Sequence, residues 1–189
     1  MITQYCNWRP KALTEAGYAI AGKAAEEQLG FEPYHWEVRL DRVGKVEASV
    51  GTKLTAISVK GDVLRFHTAD VVLPIAADVH RLQITGLPPG DYALKIDGQE
   101  VHVAAAAAWQ RGVAIDKGPM FADGAKLREA IVLRNELFYR RWRPYNDHSR
   151  HWGFIGGDFK LYDQDIAKQE QRLAELRSPR PRSYEITRK

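Results

Sequence analysis

Cysteine is almost absent from this chain. The single one, Cys6, cannot close a disulfide with a partner in the same chain, so the fold must rest on its core. Also missing is any apolar run near the roughly 18 residues that a membrane-spanning helix needs. The first residues, "MITQYCNWRPKA", lack the apolar core of a signal peptide. No internal repeat occurs. Nor is there a large excess of charge of one sign: 28 Lys and Arg against 24 Asp and Glu leave +4. The arginines cluster from residue 134 onward, so basic character is local rather than a field over the whole surface. These absences leave a soluble globular protein. It reads as cytoplasmic, unless the chain belongs to a longer exported one. What is present suffices for a sizeable core, since 44% of the 189 residues are hydrophobic.

The apolar pattern changes period along the chain. Residues 14–29 read as a helix with Thr14 as N-cap, Leu13 and Tyr18 as a hydrophobic staple and Gly30 just past its end. Its Tyr18, Ala21, Ala25 and Leu29 share one side, which is expected to be covered by the chain's own sheet or across a dimer. From 34 to 104 the period is two. "HWEVRL" alternates Trp36, Val38 and Leu40, and "KVEASV" alternates Val46, Ala48 and Val50. "KLTAISV", "VLRFH" and "HRLQITGL" follow, and "LPPGDYALKIDGQEVHV" predicts a hairpin turned by Asp97-Gly98. Helices then return. Residues 120–142 carry Met120, Leu127, Ala130, Ile131, Leu137, Phe138 and Trp142 on one face, opened by Pro119 and ended by Pro144. A polar helix over 163–177 has a thin stripe of Ile166, Leu173 and Leu176, and "SPRPRSYEITRK" is an extended tail. The expected fold is α+β: an N-terminal helix, an antiparallel β-rich middle forming a sandwich or curled sheet, and two C-terminal helices. Its parts are a helical segment 1–30, a β-rich domain 31–118 and a helical segment 119–189 packed on it.

The densest chemistry lies in "LFYRRWRPYNDHSRHWGF", residues 137–154. Ser149, His151 and Asp158 offer the residue types of a nucleophile, base and orienting acid, although sequence neighbours do not by themselves make a triad. His148 and His151 at i, i+3 are candidate metal ligands with Asp147 or Asp158 as a third; polar loop histidines are the plainer reading. The "RRWRP" cations and aromatics resemble a single-stranded nucleic-acid platform, but Phe138 and Trp142 belong to the apolar face. Arg134 and Arg141, one heptad apart, fall inside that same face and need partners. Either they lock the helix onto the sheet through backbone carbonyls or through Asp147, Asp158 or Asp116, or they bind an anionic or carbonyl-bearing ligand together with Asn146, Asp147 and His148. The histidines at 35, 67, 80 and 102 read as half-exposed sheet residues.

Three stretches, in order, carry a resemblance: "LTEAGYAIAGKAAEEQLG", "LQITGLPPGDYALKIDGQEV" and "LREAIVLRNELFYRRWRPYN", with the ending "SPRPRSYEI". Together they resemble the C-terminal region of bacterial, planctomycete-type SGNH/GDSL-type hydrolases: the last helix of the catalytic domain, then a β-rich and helical extension. The resemblance implies that the nucleophilic serine and oxyanion blocks lie outside this chain. The family's Asp-x-x-His block would fall at "RPKA", where Arg9 stands at the acid position and Ala12 at the base position. Neither can orient or act as an imidazole base, and "GGDF" at 156–159 has no serine after Asp158. The implied function is an accessory domain of an ester hydrolase, without a triad of its own and with no cofactor. A stand-alone esterase or lactonase using residues 141–158, and a protein-interaction module, are the alternatives. The partners expected are an ester or carboxylate small molecule, and a second copy or the missing hydrolase domain; nucleic acid and membrane are not expected.

Overall fold

A computed structural model describes residues 14–31, 34–75, 78–142 and 159–189. Its first element, α1 (Glu15–Gln28), begins where the Thr14 hydroxyl accepts from the Gly17 amide at 3.2 Å. It ends in a Schellman motif: Gly30 takes φ +75° and its N–H donates to Glu27 O, while Phe31 N–H donates to Glu26 O. Leu13, the expected staple partner of Tyr18, lies outside the described residues.

Among the described residues nine strands follow, in two sheets. The first sheet has the order β2 (Val46–Val50), β1 (Trp36–Asp41), β5 (His80–Thr85), β8 (Val113–Ile115). Here β1 and β5 run parallel, with Trp36 beside His80, and the outer pairs are antiparallel. The second has the order β3 (Thr52–Lys60), β4 (Val63–Asp70), β9 (Arg182–Arg188), β6 (Asp91–Ile96), β7 (Gln99–Ala105), antiparallel throughout. The inner faces form one core. Trp36, Val38, Leu40, Leu82 and Ile84 from the first sheet share it with Leu64, Phe66, Leu94, Ile96, Tyr184 and Ile186 from the second. The short helix α2 (Ala106–Arg111) drops Trp109 into this core, its indole N–H shared between Ala104 O and Tyr92 O. The expected α+β class and its order of elements are present.

Several details differ from the sequence reading. The tail is not merely extended: β9 is an interior strand between β4 and β6, so the second sheet draws on residues well beyond 118. Neither α2 nor β8 is expected from the pattern. At β2 the alternation is real but idle, because this edge strand leaves Val46 and Val50 exposed. The hairpin is as expected, with Asp97 at φ +52° and Gly98 at φ +82°, the backbone of a type I′ turn. At the β2–β3 corner Gly51 takes φ +73°, and a Cβ there would stand 2.4 Å from His35 O, so only glycine fits.

The helices also sit differently. α3 (Pro119–Trp142) and α4 (Phe159–Leu176) pack on each other as an arm that touches the sandwich at its base. There Met120 is buried, Phe121 packs on the core, and Gly124 lies so close to Pro74 O that a Cβ would meet it. Further out, Phe138 is 41% and Trp142 58% exposed, so the apolar face of α3 does not lie on the sheet. The other correction is α1. Tyr18 is 60% and Leu29 73% exposed, and Ala21 and Ala25 are exposed as well. This helix does not pack on the chain's own sheet; a Lys23–Asp78 ion pair of 2.9 Å ties it to the segment before β5. Among the described residues no helix is long and apolar enough to cross a membrane.

Candidate functional site

The two arginines do share one side of α3, and that side faces α4. Arg134 Nε donates to Glu170 at 2.6 Å, its Nη1 to Asn135 at 3.3 Å, and its guanidinium lies 5.0 Å from the Phe138 ring centre. Arg141 Nε donates to Asp163 at 2.8 Å, with its guanidinium 5.9 Å from the Trp142 ring centre. The described partners are therefore two carboxylates of the polar helix, not the sheet-side Asp116. Asp147 and Asp158, the other expected partners, lie outside the described residues. So do the remaining site candidates: Asn146, His148, Ser149 and His151.

The expectation of buried pairs is corrected. Arg134 keeps 33% of its side chain exposed and Glu170 keeps 50%. A pair so wet gains little, because water screens the attraction and both side chains lose rotamer freedom. Arg134→Met is accordingly expected to cost no more than about 1 kcal/mol, comparable to Arg140→Met. Thermal melts of the two variants check this; a sharp loss for Arg134 alone would contradict it.

Buried polarity gathers instead at one end of the sandwich, where β1, β3 and β5 begin and β4 ends. The His80 imidazole stacks on the Trp36 indole, ring centres 4.3 Å apart and planes 6° from parallel. Phe121 tilts against it at 5.2 Å and Tyr34 at 6.3 Å. Trp36 Nε1 donates to Asp70 at 2.9 Å. Asp78 accepts from the Ile75 amide at 2.8 Å and from Lys23. Both His80 nitrogens and the hydroxyls of Tyr34 and Thr52 are buried with no hydrogen-bond partner among the described residues. Burial pushes the His80 pKa down to about 4, against the weaker pull of Asp70 and Asp78. Burial likewise raises the Tyr34 and Tyr184 phenols well above their ordinary range, with Asp70 adding to it.

This imidazole is neutral at pH 7 and has no solvent-accessible surface, so it cannot exchange a proton with a substrate from this position. The half-exposed reading of His80 is thus wrong, whereas His35 and His67 are exposed and His102 lies edge-on to Trp109. A signal for it exists in the sequence. His80, Leu82 and Ile84 share one strand face, and the latter two are plainly core residues. Among the described residues no three His, Cys, Asp or Glu side chains are grouped to hold a metal ion.

No protein-family model matches the chain, and no curated protein matches its sequence. A solved structure does share the fold: a gut microbial diltiazem-metabolizing enzyme, at TM-score 0.74 and 15% sequence identity. The match covers 92% of this chain and 54% of that one, so the chain spans about half the length of the enzyme it is similar to.

Proposed function

We propose that this chain is the accessory part of an SGNH/GDSL-like ester hydrolase, which packs against a catalytic part and carries no Ser-His-Asp triad itself. The observation that supports it is the fold match: nearly the whole chain is similar to about half of a larger protein that is an enzyme. The uncovered apolar side of α1 agrees with it, since such a face belongs against another body. So do Arg9 and Ala12, which stand where the resemblance puts the acid and the base. In this reading the α3–α4 arm helps shape or cover the ester site of the catalytic part, and a second copy is the alternative cover for α1.

The test is turnover of a chromogenic acetate or butyrate ester by the purified chain. The expected result is release at the uncatalysed rate. Saturable turnover that is lost in Ser149→Ala or His151→Ala would replace this proposal with a stand-alone esterase built on residues 141–158.

A further inference from the structure

At the end of the sandwich opposite His80, three turns converge on a half-open cleft of about 170 Å³. They are the β1–β2 turn, the β3–β4 turn at Gly61-Asp62 and the Leu87-Pro88 turn after β5. The first is held rigidly. Asp41 accepts from the Val43 amide at 3.0 Å and the Lys45 amide at 2.8 Å, and Arg42 N–H donates to Thr85 O at 2.9 Å. Val43, Val59, Leu87 and the Tyr92 ring supply apolar walls. Arg42 and Asp62 stand at the mouth, both exposed, and neither side chain pairs with a described residue. The Arg42 side chain runs past Gly86, where a Cβ would lie 3.7 Å from its Cγ.

We infer that this cleft binds a small organic carboxylate with a compact apolar body. The guanidinium fork suits a carboxylate, whose two oxygens it can hold side by side. The volume suits the body, since an apolar cavity of about 150 Å³ holds a benzene ring. One turn fixed by hydrogen bonds, aliphatic walls beside it and charged groups at the rim form a mixed polar and apolar lining of the kind that orients a small ligand. Asp62 sets a further condition: its charge opposes an anion at the mouth, so removing it should tighten binding. The inference does not depend on the hydrolase reading, because the cleft lies within this chain.

The experiment is a titration of the isotopically labelled chain with benzoate and with isovalerate, followed by amide chemical shifts at constant ionic strength. Saturable shifts confined to the three turns and the Tyr92 region are expected, with a dissociation constant in the millimolar range or below. Arg42→Met should weaken binding at least tenfold, and Asp62→Asn should tighten it. Arg42→Lys, which keeps the charge but loses the fork, should fall between wild type and Arg42→Met. Shifts reproduced by chloride alone, or no saturation at tens of millimolar, would overturn the inference. So would binding of free amino acids in preference to the simple acids, weakened by Asp62→Asn, which would mean a zwitterion site.

Discussion

Arg182→Met should destabilise the chain by about 3 kcal/mol, the low end for breaking a poorly hydrated ion pair. Arg182 opens β9 with 11% of its side chain exposed, and its Nη1 donates to Asp97 at 2.7 Å while Nη2 donates to Asp123. It therefore joins three separate pieces: the interior strand, the β6–β7 turn and the base of α3. Desolvation works against the charged guanidinium, but the two carboxylates outweigh it and hold its pKa up. Methionine keeps the packing of the stem and removes the cation. Asp97 and Asp123 are then left as like charges in a place where water reaches only part of each. Asp97 still accepts from the Ser183 amide at 2.9 Å, so the turn keeps one anchor and the loss stays at the low end. Chemical denaturation measures it, with Arg180→Met as the exposed control expected to stay within about 0.5 kcal/mol of wild type. A loss for Arg182→Met as small as the control's would mean that β9 is held by its core residues alone.

Acid should weaken the fold through His80. Its folded pKa, about 4, lies below the ordinary 6.5. Between those values the unfolded chain takes up a proton that the folded chain refuses, so stability is full above pH 6.5 and falls as pH drops toward 4. Two and a half units correspond to about 3 kcal/mol, and below pH 4 this group adds nothing further. Glu37, whose pKa is lowered chiefly by its bond from His35 and also by Arg39, acts in the same direction at lower pH, so the comparison must be with a variant. His80→Phe keeps a ring against Trp36 and removes the proton site. Denaturation at pH 7 and pH 4.5 should show a stability loss larger in wild type than in His80→Phe by most of that figure. Equal losses would place the imidazole in contact with water or with an acceptor.

What could be read from the sequence was what local chemistry decides. Thr14 and Gly30 bound α1 because a hydroxyl and a glycine satisfy helix ends wherever they occur. Asp97-Gly98 turns the hairpin because few other pairs accept two positive φ values. What could not be read depends on partners far along the chain. In β9 only Tyr184 and Ile186 are buried, with Arg182 and Arg188 at the ends of the strand and Glu185 between the two. A strand with two apolar residues amid charges looks like a tail until β4 and β6 flank it. The arginines show the same limit. Helical phase correctly set Arg134 and Arg141 on one face, but it cannot say that α4 rather than the sheet lies against that face, nor how much water remains there. His80 was a misjudged alternation, settled by the parallel pairing that places it beside Trp36.

The proposal that the chain lacks hydrolase chemistry of its own is tested most directly by covalent labelling. The purified chain is treated with a fluorophosphonate, which reacts with a serine only where a base and an oxyanion site activate it. Intact-mass measurement and peptide mapping then report the outcome. The account predicts no adduct beyond the level of the heat-unfolded chain. Stoichiometric modification of one serine, Ser149 above all, would contradict it.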